Sequence, residues 1–148
     1  MADQYTATGT VNCAASPGAT ALGVIAGTLT RGRVNFFTLS CSGTPADNAI
    51  YWQARTITAA GTSSALTPTK VDLASPAAQL GAQQTYTAEP TFGVTLFAQG
   101  VHQRAYYQWQ ALPGREWLIP ATANAGIGFT PSNASYTGAT YAVAQWEE

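Results

Sequence analysis

One stretch of the sequence indicates the fold of this chain most clearly: Arg104-Ala-Tyr-Tyr-Gln-Trp-Gln-Ala111, then Leu112-Pro-Gly-Arg115, then Glu116-Trp-Leu-Ile119. Successive side chains of a strand point to opposite faces, so Tyr107 and Trp109 would share one face, and Tyr106 and Gln108 the other. Pro followed by Gly fits the two central positions of a tight turn. The stretch therefore predicts two strands that pair as a hairpin.

The same pattern recurs along the whole chain. No window sustains the apolar spacing i, i+3, i+4, i+7 of an amphipathic helix, and Thr, Gly, Ser and Pro recur throughout. Segments rich in β-branched or aromatic residues and bounded by turn residues predict about ten strands, enough for two antiparallel sheets. They are Gln4–Val11, Ala21–Leu29, Arg33–Ser40, Ala49–Thr58, Gln84–Thr87, Phe92–Gln99, Arg104–Ala111, Glu116–Ile119, Gly126–Thr130 and Ala139–Trp146.

The connections between these segments carry turn residues. Ser16-Pro-Gly18 predicts a tight turn, and Ser42–Asn48 collects Gly, Pro, Asp and Asn in one loop. The span 59–80 is longer. We expect it to cross between the two sheets, with at most a short strand near Lys70–Leu73 or one turn of helix after Pro76.

With 148 residues and no Gly/Ser-rich or Pro-rich linker, the chain predicts one domain, residues 1–148. Residues 1–10 fit either an extended N-terminal arm or the first strand. The expected architecture is an all-β, antiparallel sandwich of the jelly-roll kind. An immunoglobulin-type sandwich would place a Trp between two Cys, whereas Trp52 follows both Cys13 and Cys41.

Charge is scarce and balanced. Asp, Glu, Lys and Arg make up 9% of the residues, against about 25% in an average globular domain. Six basic and seven acidic residues give a net charge of −1, which does not fit a nucleic-acid partner. No apolar run is long enough for a membrane helix, and the start of the chain lacks signal-peptide features, so we expect a cytoplasmic product without a membrane partner. Because charge normally keeps a monomer soluble, much of this surface is expected to contact protein.

The residues that could carry chemistry are few. His102 is the only histidine, and two cysteines are too few for a disulfide scaffold or a four-ligand zinc site. We expect both thiols to be free and buried, with one bridge between the first and third strands as the alternative. Asp47 is expected to cap its turn, and residues 147–148 to be solvated. A facing pair such as Asp72 and Glu89 is left open, yet no enzyme, cofactor or metal is predicted.

Two arginines and a group of aromatic residues stand out on the predicted strands. Arg55 and Arg104 lie within predicted apolar strands, where each needs a carboxylate or backbone carbonyls as a partner, and we expect an ion pair with a carboxylate. The expected partners are Asp72, Glu89 and Glu116. The candidate exposed aromatic face is Tyr106, Tyr107, Trp109 and Trp117. Such a face could be a sugar-stacking platform or a subunit interface, with simple core packing as the plainer interpretation.

Short segments along the chain, in this order, resemble those of a family of small β-proteins that tailed bacteriophages and prophages encode as virion structural components. The segments are Ser42–Trp52, Arg55–Thr62, Thr67–Asp72, Tyr86–Thr91, Gln103–Arg104, Trp109, Pro113–Gly114, Ile119–Asn124, Gly126–Gly128 and Trp146–Glu148. This chain is richer in aromatic residues than the family pattern. It also has Tyr51 where the family has an acidic or polar residue.

The resemblance implies a capsid decoration, or cement, protein. Such proteins are jelly-roll-like sandwiches that bind the outer surface of the assembled head as dimers or trimers. The implied partners are the major capsid protein and further copies of the chain, and the implied location is the outer capsid surface of the virion. Extended, weakly charged segments at 2–10 and 59–80 are expected to make the contacts. The candidate contact residues are Tyr5, Thr6, Thr8, Leu66, Val71 and Leu73.

A second interpretation stays open at this point. The chain could be a head or tail fibre domain, or a neck component, that binds carbohydrate or host through the candidate aromatic face.

Overall fold

The computed structural model describes residues 2–13, 18–133, 136 and 138–148. Ser16 and Pro17 of the predicted turn lie outside the described residues. Within them every regular element is a strand, and no helix is long and apolar enough to span a membrane. The strands are β1 (Gln4–Asn12), β2 (Leu22–Ile25), β3 (Gly32–Cys41), β4 (Ala49–Ala59), β5 (Thr62–Leu66), β6 (Thr69–Lys70), β7 (Gly81–Ala88), β8 (Thr91–His102), β9 (Tyr107–Gln110), β10 (Trp117–Ile119), β11 (Gly126–Ser132) and β12 (Ala139–Glu147).

The strands form two antiparallel sheets, which confirms the all-β prediction. The first sheet has the order β10-β3-β12-β1-β6, and β9 also pairs with β3. The second has the order β5-β7-β2-β11-β4-β8. Strand β1 lies inside the first sheet, paired with β12 along its whole length and with β6 on its other side. Residues 4–12 are therefore a strand and not a free arm.

The predicted hairpin at Leu112–Arg115 is wrong. The turn itself exists, because the Arg115 N–H donates to the Leu112 carbonyl at 2.9 Å. Strands β9 and β10, however, do not pair with each other. Both pair with the same strand, β9 with residues 36–39 and β10 with residues 32–34 of β3. Because β3 is ten residues long, it can receive both short strands one after the other along one side.

Alternating side chains fill the core between the sheets. In β12 every second residue from Thr140 to Trp146 is buried. In β3 the buried positions change from Val34 to Phe37, because a bulge shifts the register opposite Gln145 and leaves Asn35 as the extra residue. The largest fully buried side chains come from both sheets. They are Trp52, Trp146, Tyr5, Phe37, Phe129, Leu22, Leu39, Ile50, Leu80, Ile119, Ile127 and Val24.

The connection 59–80 contains two strands outside the ten predicted segments: β6, which overlaps the short strand expected near Lys70–Leu73, and β5, which was not predicted. Strands β4 and β5 run against β7 and β8 as one long ribbon, since Ala59 pairs with Thr91 and Thr62 pairs with Ala88. At its bend Gly61 has a φ of +72°, and a side chain there would lie 2.9 Å from the Glu89 carbonyl carbon. The bend carries the ribbon from one edge of the second sheet to the other.

Candidate interaction surface

The second sheet carries less charge than the first. The six strands of the second sheet contain a single formally charged residue, Arg55. Four charged residues lie together at one end of the first sheet, where Arg33 is directly opposite Glu147. Arg31 and Glu148 line the same cleft, which has a volume of about 340 Å³. Most of the other charged residues lie outside the strands, so both sheets are poor in charge and the second is the poorer.

Strand β8 is an exposed edge of the second sheet. It is twelve residues long and contains no Asp, Glu, Lys, Arg or Pro. Its apolar side chains reach solvent, with Val94 68% exposed and Leu96 38% exposed. Natural proteins usually protect a sheet edge with charge, proline, a bulge or short length, because unpaired N–H and C=O groups can pair with another chain.

The protection of β8 is confined to its first half. The register against β4 shifts three times between Ala54 and Ala59, which places bulges opposite residues 91–96. The Thr56 hydroxyl accepts a hydrogen bond from the Val94 N–H at 2.8 Å within this bulged part. Residues 97–102 pair with β4 in unbroken register. The second half of β8 is thus a straight, uncharged and unprotected edge.

An aromatic cluster closes the sandwich beside this edge. Phe97 of β8 lies 5.0 Å from Tyr107 of β9, measured between ring centroids, and joins the edge strands of the two sheets. Trp109 and Trp117 stack at 4.5 Å, and each lies 5.2 Å from Phe37. Both indoles meet Phe37 because β9 and β10 follow one another along β3, a topology that the sequence alone did not reveal.

The candidate exposed aromatic face is therefore mostly a packing cluster. Tyr107, Trp109 and Trp117 are half-buried and contact one another or Phe37. Tyr106 alone of the four is exposed, at 69%. The plainer interpretation, core packing, describes the three half-buried rings.

Arg55 meets an aromatic ring and a hydroxyl where a carboxylate was expected. Its guanidinium lies 3.7 Å from the centroid of the Phe92 ring, and its Nη2 donates to the Thr130 hydroxyl at 3.3 Å. Partial burial lowers the pKa of this guanidinium, while the nearby Glu89 carboxylate raises it. Among the described residues Arg55 makes no ion pair. Glu89 instead accepts hydrogen bonds from the amide and hydroxyl of Thr20.

Arg104 lies in the connection between β8 and β9 and not within a strand, and it forms an ion pair with a partner that was not expected. Its Nε lies 2.7 Å from Asp47 Oδ1, and both side chains are mostly exposed, so the pair contributes about 0–1 kcal/mol. The other expected partners cap their own turns. Asp72 Oδ1 accepts a hydrogen bond from the Ala74 N–H, and the Glu116 carboxylate accepts from the Gly114 N–H. Hydrogen bonds from its own backbone N–H and from that of Gly114 lower the pKa of Glu116.

A second, smaller cluster lies on the outer face of the second sheet. Gly23 and Gly128 leave room there for two rings of the ribbon, since a side chain on Gly23 would collide with the Tyr86 hydroxyl and one on Gly128 with Phe92. Ile57 is only 2% exposed beside them. Burial raises the pKa of Tyr86 to about 12. The ribbon therefore covers part of its own sheet.

The candidate contact residues divide between buried and exposed positions. Tyr5 is 1% exposed, and its hydroxyl donates to the Pro76 carbonyl at 3.1 Å, so it is a core residue and not a contact residue. Thr6 is half-buried and donates to the Ala144 carbonyl. Leu66 is also half-buried. The exposed members of the set are Thr8, Val71 and Leu73.

Glu148 is a structural residue whose role the local sequence does not indicate. It was expected to be solvated, but its carboxylate accepts hydrogen bonds from the N–H groups of Gln79 at 2.7 Å and Leu80 at 2.9 Å. It also accepts from the Trp146 indole at 3.0 Å. Nothing in the local sequence pairs residue 148 with residues 79–80, because only the fold brings them together.

The groups with reactive chemistry are separate. Cys13 and Cys41 are both free; Cys13, directly after β1, is buried as expected, whereas Cys41, at the end of β3, is only half-buried. Strands β1 and β3 flank β12 from opposite sides. Burial raises the pKa of Cys13. His102 is exposed and accepts a hydrogen bond from the Arg104 N–H at Nδ1. Within the described part of the chain, no three His, Cys, Asp or Glu side chains lie close enough to hold a metal ion.

Comparisons of the chain with protein-family models, with curated proteins and with solved structures gave no match.

Proposed function

We propose that this protein is a bacteriophage capsid decoration protein, which binds the outer surface of the assembled head and stabilises contacts between major capsid subunits. The observation that carries the proposal is the second sheet, whose strands contain one charged residue, with the unprotected second half of its edge strand β8. A surface of this kind suits permanent contact with protein, because it leaves few charges to be desolvated. The family resemblance supplies the identity of the partner.

We further propose that the fold is a jelly roll. A jelly roll consists of eight strands in two sheets that are connected as two Greek keys. Strands β1, β12 and β3, with β9 and β10 together in the fourth position, supply one four-membered sheet, and β2, β11, β4 and β8 supply the other. Apart from β4 and β8, which are neighbours in one sheet, successive segments alternate between the sheets, and β5, β6 and β7 form an insertion that widens both. Viral capsid domains use this architecture widely, which supports the proposal.

The mechanism follows from linked binding. A homodimer or homotrimer that spans several capsid subunits binds through several modest interfaces at once, and the effective concentration of the second contact raises the overall affinity. An interface of about 1,600 Å² in total is typical of a specific complex. Because the decoration binds only the assembled shell, it shifts the equilibrium toward the intact head.

Quantitative mass spectrometry of purified particles tests this proposal. The particles should come from the phage, or the induced prophage, that encodes the chain. A copy number similar to that of the major capsid protein is expected. Roughly six to twelve copies per particle would place the protein at a symmetric neck or tail structure instead, and its absence would reject a virion role.

A carbohydrate- or host-binding role in a fibre or neck is the second candidate. Jelly rolls also occur as lectin domains, and Tyr106 offers an exposed ring beside β9. A glycan array with the wild-type protein and a Tyr106→Ala variant tests it. Binding that disappears in the variant supports this role, and an array without any signal rejects it.

A further inference from the structure

We propose that residues 97–101 of β8 pair, edge to edge, with the same residues of a second copy of this chain. The pairing is antiparallel about a twofold axis and joins two second sheets into one continuous sheet. This inference rests on the proposed function in naming the self-partner of the decoration protein, but the dimer it predicts forms without a virion.

The four sheet edges differ in how well they are protected. Strand β5 is five residues long, and β6 is two residues long and ends in Lys70. The edge made by β9 and β10 is interrupted by the loop 111–116, which contains Pro113 and Arg115. Short length, charge and proline are the usual devices against edge pairing. Only the second half of β8 lacks all of them.

The alternation of hydrogen-bonded and non-hydrogen-bonded pairs between β4 and β8 identifies which backbone groups of β8 point away from the sheet. The Gln103 N–H donates to the Asn48 carbonyl at 3.1 Å, one step beyond the last pair of the β4–β8 register. In an antiparallel ladder hydrogen-bonded and non-hydrogen-bonded pairs alternate. Val101, Gln99 and Phe97 therefore direct their backbone groups toward β4. The intervening residues, 98, 100 and 102, direct theirs away from the sheet.

These outward groups fix the register of the dimer. The carbonyl of His102 already accepts the Ala105 N–H at 3.0 Å, so its backbone is occupied by a turn. Ala98 and Gly100 keep both N–H and C=O free of any partner strand among the described residues. If Gln99 lies opposite its own copy, Ala98 of each chain faces Gly100 of the other. Four new backbone hydrogen bonds then form, two per chain.

The second copy also suits this edge in charge. Antiparallel self-pairing places like residues near each other, which is destabilising for charged strands, and residues 91–102 carry no formal charge. Residues 97–102 extend for about 20 Å, and two sheets about 10 Å apart present a flank about 20 Å wide. The resulting area, about 400 Å² per partner, is half that of a standard interface and is typical of a weak, reversible dimer.

Light scattering on size-separated protein, at several micromolar concentrations, tests the pairing. The wild type is expected at twice the chain mass of 15.4 kDa. An Ala98→Lys variant, with charge on the exposed edge, is expected to weaken the dimer at least about tenfold, which corresponds to 1.4 kcal/mol. Ala65→Lys is the matched control, because Ala65 is exposed on β5 at the opposite edge of the same sheet. It should remain dimeric.

Hydrogen exchange on the wild type provides a readout that needs no variant. The amides of Ala98 and Gly100 should exchange slowly in the dimer and rapidly on dilution. A wild type that stays monomeric, rapid exchange at both amides, or equal weakening by the two lysine variants would overturn the pairing. A dimer that is absent from virions would reject the proposed function alone, whereas a monomer that is abundant in virions would reject this inference alone.

Discussion

Replacement of Glu148 by Ala is the most informative test of what stabilises this fold. The side chain accepts three hydrogen bonds, two from backbone amides just before β7 and one from the buried indole of Trp146. Oε1 accepts the hydrogen bonds from the Leu80 N–H and the indole, and Oε2 accepts the one from the Gln79 N–H. Truncation to Ala leaves three donors without their acceptor and removes the link between β12 and the segment 76–80.

The magnitude follows from the number and burial of those donors. A hydrogen bond to a charged group contributes about 1.5–3 kcal/mol, and an unsatisfied buried donor costs about 1–3 kcal/mol. Leu80 and Trp146 are nearly inaccessible to water, whereas Gln79 is exposed and can bond to solvent. We therefore expect Glu148→Ala to lower the free energy of unfolding by about 3 kcal/mol. For a domain of this size the melting temperature should fall by about 6–12 °C.

Two further variants test whether the effect requires the charged carboxylate of Glu148 and whether it is specific to that residue. Glu148→Gln keeps an oxygen at the Oε1 position but offers an amide N–H to Gln79, so a loss of about 1 kcal/mol is expected. Glu147→Ala is the matched control, because the neighbouring carboxylate accepts one bond, from Asn35 Nδ2 at 3.1 Å. It should cost less than about 1 kcal/mol.

Calorimetry or urea unfolding measures these differences, and hydrogen exchange localises them. The amides of residues 79 and 80 should exchange faster than in the wild type in Glu148→Ala, and at the wild-type rate in Glu147→Ala. If Glu148→Ala melts within about 2 °C of the wild type, or no lower than Glu147→Ala, the hydrogen-bond account of this residue is wrong.

Three other substitutions probe the two aromatic clusters. Gly128→Ala should destabilise the protein by about 1–3 kcal/mol in urea unfolding, because its methyl group would lie 2.8 Å from Phe92 Cε1; unchanged stability would show that the ribbon moves freely. Trp109→Ala should cost about 3 kcal/mol, measured in the same way, because it removes a ring stacked on Trp117 and Phe37; a loss below about 1 kcal/mol would mean that the cluster is loosely packed. The pKa of Tyr86 is raised to about 12 in the fold, so its contribution to stability is complete below pH 10 and disappears as the pH rises toward 12. Tyr86→Phe should therefore lose less stability than the wild type between pH 10 and 12, measured by urea unfolding of both proteins at each pH. If the free energy of unfolding falls equally with pH in the two proteins, the raised pKa of Tyr86 is wrong.

Local patterns were sufficient for the strands but not for their partners. Period-two alternation and turn residues place ten of the strands near their observed positions, because side-chain direction on a strand is a local property. The hairpin at Leu112–Arg115 was wrong because a Pro-Gly turn forms in either topology, and the length of β3 decides where the two strands pair. The short strands β5 and β6 carry no strong apolar signal, since their stability depends on β7 and β1.

The site residues show the same division. The sequence identified Arg55 and Arg104 as residues that need partners, which is a matter of residue type. It could not identify Phe92, Thr130 and Asp47 as those partners, because contacts across a sandwich join residues far apart in the chain.

By itself, the sequence determined that the chain folds as β-structure and that its surface carries little charge, since composition and period are additive, local properties. Only the tertiary structure decided which surface of the protein is poorest in charged residues. Strand order places all but one of the formal charges outside the second sheet, and the bulges protect one half of β8 while leaving residues 97–102 straight. An edge exists only once strands are assigned neighbours, which is why the proposed contact surface follows from the fold and not from any motif.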